Sequence, residues 1–157
     1  MERHEIMGMV DYILENAKVG ILSTTTNDAI PHMRWMTFAL LKERPGMIFS
    51  VTSPRFRKVF ELETQQQVEW MFQTRDLNHI VNLRGKINII EDNPSLKTEI
   101  LRILGGRLNT FWKLTEKDMG FVVLETVIHQ ATYYRPMKGL KETVLYDAQD
   151  YEKVSSE

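Results

Sequence analysis

Segments with strand character follow one another along most of the chain, and their order limits the folds that are possible. In 68–73, Val68, Trp70 and Phe72 alternate with polar residues, a period of two that is typical of a strand with one buried face. Stretches with helical spacing of apolar residues lie between only some of these segments. Because strands and helices do not alternate regularly, a doubly wound parallel sheet is not expected. We therefore expect a mainly β chain with flanking helices, in which six antiparallel strands form a small barrel, at 19–26, 32–38, 47–53, 68–73, 81–89 and 121–134.

One glycine and two helical patterns add detail to this prediction. Gly85 interrupts the alternation of 81–89 and predicts a bulge or a close approach by another group. A helix is expected at 2–16 because its apolar residues recur at helical spacing. A second helix should open with Glu91-Asp92-Asn93-Pro94, carry Leu96, Ile100, Leu101 and Leu104 as an apolar stripe, and stop at Gly105-Gly106.

Composition indicates a single domain with few general partners. The 157 residues, 43% of them hydrophobic, suit one domain over 1–157, with the barrel at 19–135 and a C-terminal tail at 136–157. A net charge of −1 gives no general attraction to nucleic acid or to an anionic membrane. Because cysteine is absent, disulfides and thiol catalysis are excluded.

The N-terminal stretch 1–18 gives the expectation for location. It lacks a basic start followed by an apolar block, and therefore does not read as a signal peptide. No window of the sequence approaches the ~20 apolar residues that a membrane helix needs. We expect a cytoplasmic protein without a membrane partner.

A cluster of positive charge follows the third strand. Ser53 and Pro54 suit an N-cap and a first helical position, which predicts a helix over 54–65. Its first five positions contain Arg55, Arg57 and Lys58, and no acid precedes Glu61. Each cation at a helix N-terminus costs about 0.3–1 kcal/mol unless an anion is bound there. The cluster thus predicts a phosphate site, while the alternative is that these side chains extend into water.

Arg34 favours the phosphate interpretation. It lies in 32–38 between mostly apolar neighbours, so its guanidinium is expected to point into a site. Arginine suits phosphate because its planar fork makes paired, charged hydrogen bonds.

The order of Ile30-Pro31, Arg34-Trp35-Met36-Thr37, the strand 47–53 and Arg57-Lys58 resembles the split-barrel flavoproteins related to pyridoxamine 5'-phosphate oxidase. The short, general-stress-protein-like members are closest in size, and the resemblance extends over about 7–135. It implies a six-stranded antiparallel split β-barrel that binds FMN. The cofactor contacts that it implies here are Arg34, Trp35, Met36, Thr37, Thr52, Ser53, Arg57 and Lys58.

The resemblance also implies a homodimer with the flavin site at the subunit interface. Apolar residues in excess of what one small barrel needs point the same way, namely Trp70, Phe72, Phe111, Trp112, Tyr133 and Tyr134. Between 108 and 118, Phe111 and Trp112 are open to three interpretations: core, interface or a ring near the flavin.

Two positions depart from the oxidase itself. Phe56 replaces a serine ahead of Arg57-Lys58 and is expected to join Val59 and Phe60 in the core. Ile80 aligns with a glutamine that contacts the flavin, and the arginine-rich C-terminal substrate segment is missing. We therefore do not expect oxidation of vitamin B6.

No catalytic side chain can be named from the sequence. The four histidines, at 4, 32, 79 and 129, lack the local spacing of metal ligands, and no Gly-x-Ser-x-Gly elbow is present. A flavin would supply the electron chemistry itself. The interpretation is an FMN-dependent oxidoreductase of unidentified substrate, with two alternatives: a non-catalytic flavin sensor or carrier, and a deazaflavin-dependent reductase.

Overall fold

The computed structural model describes residues 1–53, 55–105 and 121–153. These ranges contain seven strands, all paired antiparallel, and three α-helices. The strands are β1 Gly20–Thr25, β2 Pro31–Met36, β3 Met47–Thr52, β4 Gln67–Gln73, β5 Ile80–Ile90, β6 Val122–Arg135 and β7 Leu140–Leu145. The helices are α1 Arg3–Asn16, α2 Arg57–Thr64 and α3 Pro94–Gly105, and short 3-10 helices lie at Pro136–Lys138 and Ala148–Tyr151.

The sheet has the order β2-β1-β4-β5-β6-β3, and β7 pairs with β6 outside this path. Its two ends meet at Ala39, beyond β2, which exchanges backbone hydrogen bonds with Phe49 of β3. The mainly β, antiparallel class predicted from the sequence is confirmed, and the arrangement agrees with a split barrel.

The C-terminal segment differs from the prediction, because it contains a seventh strand where only a tail was expected. β7 runs along β6 from the pair Gln130–Leu145 to the pair Arg135–Leu140. Of its six residues only Val144 is buried, so its own apolar period is weak. Pairing with the edge of β6 therefore fixes this strand, and that pairing is invisible in local sequence.

The predicted irregularity at Gly85 is confirmed. Arg84 pairs with Gln130, whereas Gly85 pairs with Ile128, so that the register shifts between them. A Cβ atom at Gly85 would lie 2.2 Å from the carbonyl oxygen of Val127. Only glycine can occupy this position without moving the neighbouring backbone.

Both predicted flanking helices form. α1 buries Ile6, Val10, Ile13 and Leu14 against the barrel core. α3 buries Leu96, Ile100 and Leu104 in a second apolar cluster that includes Phe49 and Val123. These two clusters place the helices on different parts of the sheet.

Three of the aromatic residues that were counted as apolar excess lie in the core. Trp70, Phe72 and Tyr133 are fully buried, as the buried face predicted for 68–73 requires of the first two, so they do not support a subunit interface. The indole N–H of Trp70 donates to Oγ1 of Thr126 at 3.0 Å, which allows this large ring to be buried without an unpaired donor. Tyr134 is half-buried. The predictions for Phe111, Trp112 and the surrounding 108–118 fall outside the described residues.

Candidate anion-binding site

Helix α2 begins three residues later than predicted. Phe56 occupies its N-cap position, and no side chain caps the helix. Oγ of Ser53 instead accepts a hydrogen bond from the N–H of Arg55 at 3.3 Å. The expectation that Ser53 caps this helix was therefore wrong, and Arg55 lies outside it.

The aromatic residues around this helix start also differ from expectation. Phe56 is 50% exposed and Phe60 is 64% exposed, so neither joins the core as predicted. Both project from the surface because the short helix buries Leu62 and Glu61 instead. The start of α2 thus remains near solvent.

The first turn of α2 contains two cations and no acid. Arg57 is 80% exposed, and its Nε lies 4.0 Å from Oε1 of Glu61. Lys58 follows it, and the first turn contains no acidic residue. The free N–H groups and the two cations together favour an anion at this end of the helix.

Lys58 is the most unusual charge of the site. Its ammonium nitrogen lies 4.0 Å from Sδ of Met36 and 5.3 Å from the centre of the Phe56 ring. Burial, and secondly the positive charge of Arg34, lower the pKa of Lys58 to about 8. No carboxylate pairs with Lys58 within the part of the chain that the structure describes. An anion here would offset the free-energy cost of burying this charge.

Arg34 lies close by, in a closed ring of hydrogen bonds. Its Nη2 donates to Oε2 of Glu61 at 2.8 Å, and its Nη1 donates to Oγ1 of Thr24 at 2.7 Å. The hydroxyl of Thr24 in turn donates to Oε2 of Glu61 at 2.6 Å. The guanidinium points inward, as the sequence suggested, but its described partner is a carboxylate of the same chain.

Glu61 is the residue that the sequence interpretation missed. Its side chain is only 5% exposed. Burial alone would raise the pKa of its carboxyl, but the Thr24 hydrogen bond and Arg34 outweigh burial and lower it. Nε2 of His32 lies 3.7 Å from Oε1. The sequence contained a signal for two of the partners of Glu61. In the β1–β2 hairpin Arg34 pairs with Leu22, so that Thr24 lies diagonally next to Arg34 on the same face.

The remaining predicted contacts lie on β2, on β3 and directly after these strands. Met36 lies against Lys58, while Thr37 and Ser53 are partly buried. Oγ1 of Thr52 is buried and has no hydrogen-bond partner among the described residues. Such an orphaned hydroxyl is suited to a ligand, because a buried polar group without a partner costs free energy.

Trp35 stands apart from the other predicted contacts. It projects from the face of β2 opposite to Arg34 and is 78% exposed. Beside it, Ile21 and Met71 continue an apolar row across β1 and β4. These residues line a cleft of about 610 Å³ that also contains Tyr12 and Val19. The side chain of Trp35 therefore does not take part in the Lys58 site in this arrangement.

The described ranges contain neither a metal cluster nor a membrane-spanning helix. No group of three or more histidine, aspartate or glutamate side chains there is arranged to hold a metal ion. None of the helices in those ranges is long and apolar enough to cross a membrane.

The chain is similar to one protein family and to several solved structures. Residues 7–134 match the family model described as pyridoxamine 5'-phosphate oxidase. General Stress Protein 26 from Bacillus anthracis is 22% identical, with a TM-score of 0.71 over 90% of this chain and 99% of that chain. An FAD-binding protein from Mesorhizobium loti is 14% identical (TM-score 0.66, 85% and 94% covered). HutZ, the heme storage protein of Vibrio cholerae, is 14% identical (TM-score 0.65, 83% and 94% covered). No curated protein matches the sequence significantly.

Proposed function

Because the chain belongs to the pyridoxamine 5'-phosphate oxidase family, we propose that it is an FMN-binding flavoprotein that acts as an oxidoreductase. The observation that carries the proposal is Lys58, a partly buried cation without a carboxylate partner in the described ranges, in a helix turn without an acid. A phosphate would satisfy both features.

The residues present fit this cofactor at its phosphate end. Lys58 and Arg57 supply charge, and the orphaned hydroxyl of Thr52 supplies a further hydrogen bond, with Ser53 beside it. Arg34, Met36 and Thr37 are assigned to the rest of the flavin by their place in the family pattern. Trp35, whose side chain lies on the opposite face of β2, is assigned to the flavin only where two copies of the chain meet. FMN supplies the electron transfer when it is bound, so this chain needs only to bind and orient it.

The test of the phosphate assignment compares FMN with riboflavin, which has the same ring without phosphate. Lys58→Ala should weaken FMN by about 1.5–3 kcal/mol, the size of a hydrogen bond to a charged group. That corresponds to roughly a ten- to hundredfold change in Kd, measured by quenching of flavin fluorescence. Lys42→Ala, at an exposed lysine in a turn, is the matched control. An unchanged difference between FMN and riboflavin affinities in Lys58→Ala would contradict the assignment.

Turnover separates an oxidoreductase from a flavin sensor or carrier. The proposal expects bound FMN to be reduced by NADH or NADPH and reoxidised by an acceptor over many cycles. Flavin that binds but never turns over with a broad panel of donors would favour the sensor or carrier. Parallel titrations with a deazaflavin and with hemin test the other cofactors. Hemin is included because one similar structure is described as a heme storage protein.

We further propose that the apolar face around Trp35 pairs with a second copy of this chain. Met33 and Trp35 are both largely exposed, and Ile21 and Met71 extend the same face. Large exposed apolar patches usually mark interaction sites. Trp35→Asp should dissociate the dimer in light scattering at tens of micromolar, since interface tryptophans often contribute about 2 kcal/mol or more. Met137→Asp, at an equally exposed methionine, should leave it intact, and a monomeric parent would refute the pairing.

A further inference from the structure

We propose that Glu61 is a resident anion that holds Arg34 away from phosphate and thereby limits how strongly the site prefers FMN over riboflavin. This inference rests on the proposed function, because it takes the phosphate site at Lys58 as its setting. It assigns a specificity-determining role to a side chain that does not itself attract phosphate.

The ring of hydrogen bonds already engages the guanidinium of Arg34. Both terminal nitrogens of Arg34 already donate hydrogen bonds, one to Glu61 and one to Thr24. Thr24 closes the ring by donating to the same oxygen of Glu61. The Nη1–Nη2 edge of the guanidinium is therefore occupied, and a phosphate can reach only the N–H groups that this ring leaves unpaired, until Glu61 releases the edge.

The charges of the ring act in the same direction. The pair of Arg34 and Glu61 is neutral as a unit, and Glu61 stays ionised because its pKa is lowered. Arg34 nevertheless lies close enough to Lys58 for their positive charges to interact. An anion bound at Lys58 would therefore compete with Glu61 for the same guanidinium.

Glu61 also lies on one approach to Arg57. It lines a shallow depression of about 340 Å³, together with Arg57 and His32. A phosphate that approaches Arg57 from this side meets a carboxylate 4.0 Å from Nε. Removing the negative charge should therefore both release Arg34 and reduce repulsion.

The experiment compares Glu61→Gln with Glu63→Gln, a matched control that removes the same charge from an exposed position of the same helix. Inorganic phosphate is titrated by thermal shift, and FMN and riboflavin are titrated by fluorescence. Glu61→Gln should bind phosphate and FMN about tenfold more tightly than the parent, with riboflavin changed less than about twofold. Glu63→Gln should match the parent, and Arg34→Gln with Glu61→Gln should lose the gain.

Two results would overturn the inference. In the first, Glu61→Gln binds phosphate and FMN no more tightly than Glu63→Gln does. In the second, the gain in affinity persists when Arg34 is also replaced. If Glu61→Gln does not fold, Glu61→Asp replaces it, because the shorter carboxylate weakens the hold on Arg34. A gain of about threefold then supports the inference, and no gain overturns it.

The two proposals fail separately. If no variant binds a flavin but Glu61→Gln binds inorganic phosphate more tightly than the parent, the role of Glu61 stands and the FMN function falls. If the parent binds FMN through Lys58 and Glu61→Gln equals its control, the function stands and the role of Glu61 falls.

Discussion

Helices α2 and α3 follow the same short sequence signal but begin differently. Ser53-Pro54 precedes α2, and Asn93-Pro94 precedes α3. α3 begins at its proline, and Oδ1 of Asn93 accepts a hydrogen bond from the N–H of Leu96 at 3.1 Å. α2 begins only at Arg57 and has no side-chain cap. α3 thus satisfies its own N-terminus, whereas α2 leaves its first turn to other partners.

The two helices are also held on the sheet by different interactions. α3 is anchored by three buried apolar side chains in one stripe. α2 buries Leu62 next to Glu61, whose carboxylate is bound to Arg34 and Thr24 on the β1–β2 hairpin. α3 is therefore a structural element, whereas α2 combines its packing with a charged surface that suits a ligand.

The largest effect should come from the anchor of α3. Ile100→Ala removes a fully buried side chain and should lower the free energy of unfolding by about 2–5 kcal/mol. Phe60→Ala, at an exposed position of α2, should change it by less than about 0.5 kcal/mol. Urea denaturation of both variants measures the difference, and equal losses would contradict the contrast in burial between Ile100 and Phe60.

A second prediction concerns pH and the first turn of α2. Lys58 has a pKa of about 8 in the folded chain against 10.5 as the ordinary value. Between these values the unfolded chain binds more protons, so the free energy of unfolding should rise as pH increases. We expect a rise on the order of 1–2 kcal/mol for the unliganded parent relative to Lys58→Met. Denaturation curves from pH 7.5 to 10.5 that run parallel for the two proteins would remove the basis for a buried charge.

The third prediction tests the caps directly. Asn93→Ala should lower the free energy of unfolding by about 1 kcal/mol, because it removes the acceptor for the N–H of Leu96. Ser53→Ala should cost only a few tenths of a kcal/mol, since Ser53 does not cap α2. Thermal denaturation at fixed pH compares the two, and a larger loss for Ser53→Ala would reverse the assignment of the capped helix.

The smallest effect is expected when α2 receives the cap that it lacks. Phe56→Asp places a carboxylate at its N-cap position and should stabilise the unliganded chain by about 0.5 kcal/mol, after loss of the Phe56–Lys58 contact. The same carboxylate should weaken FMN, because it occupies the N–H groups assigned to phosphate. Tighter FMN binding by this variant would argue against an anion at the helix start.

Local sequence was sufficient to predict the features that depend only on residues close together in the chain. The alternation in β4 and the glycine of β5 predicted a half-buried strand and a bulge, since both depend on period and on backbone space. The start of α3 was predicted because Asn93 and Pro94 act on the next few residues alone.

Prediction failed where distant segments decide the outcome. β7 forms because β6 offers it an edge, and the indole N–H of Trp70, whose burial was predicted, finds its acceptor on Thr126 of a distant strand. Within the site, Arg34 was expected to face inward, but its partner Glu61 lies on another element and looked like an ordinary surface acid in the sequence. The positions where a flavin was expected stay predictions that the binding experiments above test.

The pairing of Ala39 with Phe49 has a consequence for how the barrel opens. β5 and β6 are joined by eleven register pairs, whereas the described ends of the sheet meet at this single isolated bridge. Its two hydrogen bonds, of 2.8 and 3.0 Å, and the packing of the buried Ala39 and Phe49 are what must break there. Local unfolding should begin at this seam. The amide of Ala39 should then exchange with deuterium well before the amides in the middle of β5.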